Sequence, residues 1–214
     1  METAGLLLVG AVLFVNGMVF LGHAEPRNAA VVNIFVGLVQ TAIPFHLLII
    51  AQGSDHLLEA TPLFLFGLTY LWTGITNLTQ NEGTALGWFC MWVSAMTVVF
   101  SALALFHFND PKQAVIWLNW GVLWGLFWSV LARGRTGHRL AAGGAAIVMS
   151  IWTCTVPAIL TMISLWDDLP VWPVIVATAI TPFAIRALSK CAASSTQEPQ
   201  VATQPQPLQA PHHK

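Results

Sequence analysis

Seven long runs of apolar residues, separated by short polar loops, constrain this chain more than any other feature of its sequence. The runs are residues 4–21, 29–51, 61–78, 88–106, 114–131, 140–165 and 169–188. Each is close in length to the roughly 20 helical residues that cross a hydrocarbon core about 30 Å thick. Only 8% of the residues are charged, against about 25% in a typical soluble domain. The sequence therefore predicts an all-α membrane protein built as a transmembrane helix bundle.

The seventh run is the least regular, because it contains Pro170, Pro173 and Pro182. Prolines in the first turn of a helix cost little, and transmembrane helices tolerate an internal proline. We therefore predict a seventh transmembrane helix within residues 166–190, with an interfacial or re-entrant segment as the alternative. Residues 191–214 are rich in Pro, Gln, Ser and Ala, a composition that favours a disordered tail.

The distribution of Lys and Arg predicts how the chain is inserted. Of the eight basic residues, only Lys112 lies in a loop on the opposite side of the membrane from the rest. The others are Arg27, Arg133, Arg135, Arg139, Arg186, Lys190 and Lys214. Because cytoplasmic loops carry the excess of Lys and Arg, we expect the N-terminus outside and the C-terminal tail in the cytoplasm.

The spans carry no Asp, Glu, Lys or Arg near their middle. Ion pumps need intramembrane carboxylate or lysine relays, and voltage sensors need rows of arginine, so both classes are disfavoured. A net charge of -1 argues against a nucleic-acid partner. HExxH and GxSxG motifs are absent and the three cysteines show no CxxC spacing, so we expect no enzymatic activity, no metal site and no cofactor. These exclusions leave a protein that handles an uncharged solute, or no solute.

Four tryptophans recur with helical spacing in the fifth run, which reads WLNWGVLWGLFW at 117–128. They span an arc of about 80° and form a ridge about 16 Å long. This tryptophan ridge comprises Trp117, Trp120, Trp124 and Trp128. An interfacial aromatic belt explains only its ends, and packing between helices is an alternative, above all for Trp128. The functional interpretation is a slot with aromatic walls, in which indole N–H groups bond the carbonyl of a planar amide.

Two other runs carry stripes at helical spacing. The stripe in the first run comprises Leu6, Val9, Leu13 and Asn16. The stripe in the third run comprises Phe66, Thr69, Tyr70 and Thr73. Neutral polar residues in such stripes either bond neighbouring helices or line a pore.

Four stretches, in their order and spacing, resemble the AmiS/UreI family, which includes the acid-activated urea channel and amide transporters. They are GAVLFVNG at 10–17, EPRNAAVVNIFVGL at 25–38, LFGLTYLW at 65–72 and WLNWGVLW at 117–124. The resemblance implies a six-helix channel domain over residues 1–165, in which each protomer encloses its own pore. It also implies a homohexamer in the bacterial inner membrane that passes urea and short aliphatic amides down their gradients.

The resemblance further implies where the pore is narrow. The residues that match constrictions of the family's urea channel are Leu6, Val9, Leu13, Tyr70, Trp117, Trp120, Leu123 and Trp124. Asn16 continues the stripe of the first run and is a further candidate lining residue. Met149 stands where the urea channel has a pore glutamate, and the external loops offer only His56 and Lys112 as groups that respond to acid. We therefore expect a flux that depends little on pH, and amides rather than urea as the main solutes.

The leading hypothesis from the sequence is a passive channel for small neutral amides, urea included. A coupled transporter of the same solutes is one alternative, favoured if uptake requires a membrane potential or a pH gradient. A membrane scaffold that transports nothing is the other, favoured if liposomes containing the protein are no leakier to acetamide than empty ones.

Overall fold

The computed structural model describes residues 2–195, which form helices, turns and loops without any strand. The helices are α1 (Glu2–Leu21), α2 (Pro26–Ile50), α3 (Ser54–Ala60), α4 (Leu63–Thr79), α5 (Thr84–Phe106), α6 (Pro111–Leu131), α7 (Arg139–Met149), α8 (Val156–Met162) and α9 (Trp172–Ser195). A 3-10 turn, Thr136–His138, precedes α7, and a π-helical segment, Ser150–Thr155, joins α7 to α8. The predicted all-α class is confirmed.

Six helical segments in the described part of the chain are long and apolar enough to cross a membrane. They are α1, α2, α5, α6, α9 and the continuous segment Thr136–Met162. The third predicted span is α4, whose 17 residues lie at the lower limit of about 17 for a transmembrane helix. It is the shortest of the seven predicted spans, and it packs along the much longer α2.

The helices associate in close pairs. The most extensive contacts join α2 to α4, α5 to α6, and α1 to α7. A Cβ on Gly37 of α2 would lie 2.5 Å from the backbone nitrogen of Leu71 in α4, and a Cβ on Gly17 of α1 would lie 3.0 Å from the carbonyl of Gly143 in α7. Both crossings therefore require glycine, because small residues let helix backbones approach closely in a membrane.

The sixth predicted span is one helical segment with a π turn at its centre. Pro157 has no N–H to donate, and its ring crowds the carbonyl four residues earlier. The wider turn of Ser150–Thr155 relieves that crowding, and Thr155 Oγ1 donates to the carbonyl of Ser150 at 2.9 Å. The helix ends at Met162 rather than at the predicted residue 165, because Ser164 adopts a left-handed φ of 58°.

The last helix, α9, packs on α7 and α6 and is otherwise mostly exposed. Asn119 Nδ2 of α6 donates to Thr178 Oγ1 of α9 at 3.0 Å. α9 begins at Trp172 and continues to Ser195, so it starts and ends later than the predicted segment 166–190. The first residues of the predicted tail are thus helical, and residues 196–214 lie outside the described residues.

Candidate functional site

A cavity of about 390 Å³ opens at the end of the bundle where α1, α4 and α6 begin. We call it the outer cavity. Four predicted pore residues line it: Leu6, Val9, Trp117 and Trp120. The polar residues around it are Thr3, Gln40, Glu59, Asp110, Gln113 and Thr161. Its volume falls in the range of about 300–1,000 Å³ that is typical of small-molecule sites.

The tryptophan ridge divides into three buried residues and one that lies apart. Trp117, Trp120 and Trp124 expose 7%, 5% and 4% of their surfaces. The rings of Trp117 and Trp120 meet edge to face with centroids 5.0 Å apart. Trp128 is only partly buried, and its ring lies 6.1 Å from that of Trp88 at the other end of α6. The first three therefore face the interior of the bundle, while Trp128 packs against α5.

Phe66 of α4 completes the aromatic wall, and it was not among the predicted site residues. Its ring centroid lies 4.9 Å from that of Trp120, 5.0 Å from Trp124 and 6.0 Å from Trp117. It lies four residues before Tyr70, on the same face of α4. Phe66 belongs to the stripe in the third run, but helical spacing alone does not show which helix that stripe contacts.

Two of the four indole N–H groups of the ridge are bonded within the protein, whereas Trp128 Nε1 is buried without a partner among the residues described. Trp120 Nε1 donates to Thr153 Oγ1 at 2.9 Å, and Trp124 Nε1 donates to Thr69 Oγ1 at 3.3 Å. Each threonine hydroxyl donates in turn to a carbonyl of its own helix, at 2.6 Å in both cases. In this structure the N–H groups of Trp120 and Trp124 are therefore engaged by the protein, as buried donors in a helix bundle usually are. They orient the rings.

Beyond the outer cavity the side chains pack closely in the hydrophobic core. Leu13, Tyr70, Leu123 and Trp124 lie further along their helices than the cavity residues, and each is at most 5% exposed. We call this group the inner constriction. Within residues 2–195 the Tyr70 hydroxyl has no hydrogen-bond partner, so it remains available to a solute. The other polar group of the constriction, the indole N–H of Trp124, is already bonded to Thr69.

Asn16 lies one turn beyond Leu13, where its amide is bonded to α2. Asn16 Nδ2 donates to Asn33 Oδ1 at 2.8 Å, and Asn33 Nδ2 donates to Asn16 Oδ1 at 2.7 Å. Asn33 also donates to the carbonyl of Ala29 at 2.8 Å. The structure thus uses Asn16 to hold α1 against α2.

The outer cavity has charged residues in its wall and the inner constriction has none. Glu59 and Asp110 line the outer cavity, whereas the inner constriction is neutral. Met149 is 1% exposed and is packed within the hydrophobic core. Within residues 2–195 no group of three or more His, Cys, Asp or Glu side chains is placed to bind a metal. The arrangement suits a neutral solute that leaves an outer polar region for an apolar passage.

Known proteins with similar sequences are transporters. Residues 1–165 match the model of the AmiS/UreI family transporters. The chain is 48% identical over 163 residues to a protein of Rhodococcus erythropolis named as transporter AmiS2. This alignment covers 76% of this chain and 79% of that protein. It is 37% identical over 179 residues to a protein of Mycolicibacterium smegmatis named as an amidate substrates transporter, with 83% and 84% of the two chains covered.

The fold is also similar to a solved structure. The cryo-EM structure of the Helicobacter pylori urea channel in a closed state matches with a TM-score of 0.70 at 26% identity. The match covers 78% of this chain and 100% of that chain. The matched helices therefore have the arrangement of that channel.

Proposed function

Because the chain belongs to the AmiS/UreI family of transporters, we propose that it is a passive transmembrane channel for small neutral amides, either short-chain aliphatic amides or urea. The observation that carries the proposal is the outer cavity, which ends against neutral aromatic and aliphatic side chains. Such walls offer an ion no compensation for its lost hydration. A small neutral solute loses far less on entering, so the route favours it.

The predicted site residues are assigned to two parts of this route. Leu6, Val9, Trp117 and Trp120 line the entrance, and Leu13, Tyr70, Leu123 and Trp124 form the filter. In the filter, the free hydroxyl of Tyr70 bonds the solute, while amide N–H groups pass over the faces of aromatic rings. Asn16 positions α1 at the inner end of the route.

Amides are the favoured solutes within this class. The relatives named for AmiS2 and for amidate substrates are 48% and 37% identical to the chain, against 30% and 32% for the acid-activated urea channels of two Helicobacter pylori strains. Met149 also leaves this part of the core without a carboxylate, so charged groups border the outer cavity but not the inner constriction.

The test is solute flux in proteoliposomes. Stopped-flow light scattering should show acetamide and urea entering faster than into empty liposomes, while glycerol enters at a rate close to that of the empty ones. A passive channel should be indifferent to a protonophore and to a potassium diffusion potential set with valinomycin. Dependence on either gradient would instead support coupled transport, and acetamide rates equal to those of empty liposomes would support a scaffold.

We also propose that six copies form a ring in a bacterial inner membrane, with the N-terminus outside. Arg139 Nη2 donates to the carbonyl of Val19 at 3.2 Å, so the basic loop after α6 lies at the same end as the loop that contains Arg27. Lys112 lies at the opposite end, beside the outer cavity. This asymmetry supports an outward-facing cavity. Native mass spectrometry in mild detergent should give six chains, and a monomer that stays active after reconstitution would contradict the ring.

Cysteine labelling tests the orientation. Cys191 in α9 is exposed, whereas Cys90 and Cys154 are buried, so Cys191 is the reporter. An impermeant maleimide should leave it unlabelled in intact cells and label it in opened membranes. A Cys191→Ser variant is the control for background labelling. Rapid labelling in intact cells would reverse the proposed orientation.

A further inference from the structure

The linker between α8 and α9 turns back over the outer cavity. After α8 ends at Met162, Ser164 adopts a φ of 58° and the N–H of Leu165 donates to the carbonyl of Leu160 at 2.8 Å. This is the pattern of a Schellman turn, which ends a helix and redirects the chain. The next residue is Trp166, which is one of the residues that line the outer cavity.

Trp166 differs from its neighbours in the linker. Ile163 and Leu165 are 57% and 52% exposed, whereas Trp166 is partly buried and packs against the hydrophobic core. Trp172, at the start of α9, is 63% exposed. The linker therefore buries part of one large ring at the mouth of the cavity, while Ile163 and Leu165 stay exposed.

Lys112 holds Trp166 in this position. Its ammonium donates to the carbonyls of Trp166 at 2.5 Å and Leu169 at 3.0 Å, and to that of Asp167 at 3.3 Å. The same ammonium lies 5.1 Å from the centroid of the Trp166 ring. A lysine in the first turn of a helix is unfavourable with respect to the helix dipole. Three carbonyl acceptors, one for each ammonium proton, offset that cost.

We propose that Trp166, positioned by Lys112, is a wall of the outer mouth and limits the size of the neutral solutes that enter. Trp166 follows directly after residues 1–165, which match the family model, so this restriction is carried by the segment that leads to α9. The helix anchors the far end of the linker through the bond between Asn119 and Thr178. The inference rests on the proposed channel function, which supplies the solute.

The experiment compares permeabilities to butyramide and acetamide in proteoliposomes. Trp166→Ala should raise the ratio of butyramide to acetamide permeability about threefold. This is below the roughly tenfold that even one of the two methylenes separating these amides is worth in a fully fitted pocket, because the mouth has other walls. The matched control is Trp172→Ala, which removes an exposed tryptophan at the other end of the linker and should keep the parental ratio. A parental ratio in folded Trp166→Ala, or an equal rise in Trp172→Ala, would overturn the proposal.

Lys112 is tested as a positioning residue. Lys112→Met should raise the ratio in the same direction, and Lys112→Arg should stay closer to the parent because it keeps donors for the carbonyls. In the double variant with Trp166→Ala, Lys112→Met should add nothing, since both act through one ring. Additive effects would remove Lys112 from the proposal. If liposomes with the parent protein take up acetamide no faster than empty ones, both the channel function and this inference are wrong. If the parent conducts acetamide but the variants keep its ratio of butyramide to acetamide permeability, only this inference is wrong.

Discussion

The outer and inner halves of the route are built on the same helices, yet one half is open and the other is closed. In the outer half, Leu6, Val9 and Trp117 border a cavity of about 390 Å³. In the inner half, Leu13 and Trp124 do not border that cavity and pack in the hydrophobic core. The tryptophan ridge runs through both halves, so the width of the route depends on what faces the ridge.

The facing elements differ in kind. Opposite the outer end lie the short helix α3, the start of α4 and the linker with Trp166, which leave space between them. Opposite the inner end, Tyr70 of α4 packs into the same buried core as Trp124, while Phe66 contacts the ridge in both halves. We therefore expect the inner half to set selectivity and the outer half to set access.

Removal of Trp124 should have the largest effect, because its ring closes the inner constriction. Trp124→Ala should raise the ratio of butyramide to acetamide permeability about tenfold. Loss of a packed tryptophan costs about 3–5 kcal/mol of stability, so Trp124→Leu is a second variant in case the alanine variant does not fold. Trp128→Ala, which removes a ridge residue outside the constriction, is the control and should keep the parental ratio. A folded Trp124 variant with the parental ratio would move the filter to the outer half.

The polar bonds between α1 and α2 give the next largest effect. Asn16 and Asn33 exchange two bonds in the inner half, whereas in the outer half Gln40 Nε2 makes a single bond to the carbonyl of Gly5 at 3.0 Å. At about 0.6 kcal/mol for each interhelical bond, Asn16→Leu should lower the free energy of unfolding by about 1.2 kcal/mol and Gln40→Leu by about half as much. Denaturant unfolding in detergent measures both. Equal losses would show that the two halves are held together equally.

The threonine partners of the ridge should give a smaller change. Thr153→Val removes the acceptor of Trp120 in the outer half, and Thr69→Val removes that of Trp124 in the inner half. Each substitution should lower the free energy of unfolding by about 0.6 kcal/mol. The loss should be the larger of the two for Thr153→Val, because the bond to Thr153 is 2.9 Å long and the bond to Thr69 is 3.3 Å long. Thr97→Val is the control, since that hydroxyl bonds the carbonyl of Ser94 on its own helix. A Thr97 variant as unstable as the others would mean that the indole bonds add nothing.

Acid should have the smallest effect on either half. The outer cavity has no histidine in its wall, and the inner constriction is neutral. His107 bonds Asp55 at 3.0 Å near the outer end, but both side chains are largely exposed. Acetamide flux should therefore change little between about pH 5 and about pH 7.5, where histidine titrates. A steep rise at acid pH that disappears in His107→Ala or His56→Ala would show that an external loop gates the outer half.

The sequence by itself determined the helices and the face that they turn inward. A helix in lipid must satisfy its own backbone hydrogen bonds and match the thickness of the hydrocarbon, so each span is visible as a local run of apolar residues. The spacing of Trp117, Trp120 and Trp124 likewise placed them on one face, and the structure buries all three. The end of the sixth span was less predictable, because the left-handed turn at Ser164 lies within an apolar stretch.

Only the tertiary structure decided what that face meets. Trp120 bonds a threonine 33 residues away, Trp124 bonds one 55 residues away, and Lys112 reaches a carbonyl 54 residues away. Phe66 of α4 likewise contacts Trp120 and Trp124 of α6 only because the helices are packed in this way. These partners depend on which helices pack together and at what depth, and hydrophobic periodicity carries information only about residues within one helix. The sequence thus determines where a wall exists, while the packing of α4, α6 and the sixth span decides whether that wall borders an open cavity or a closed constriction.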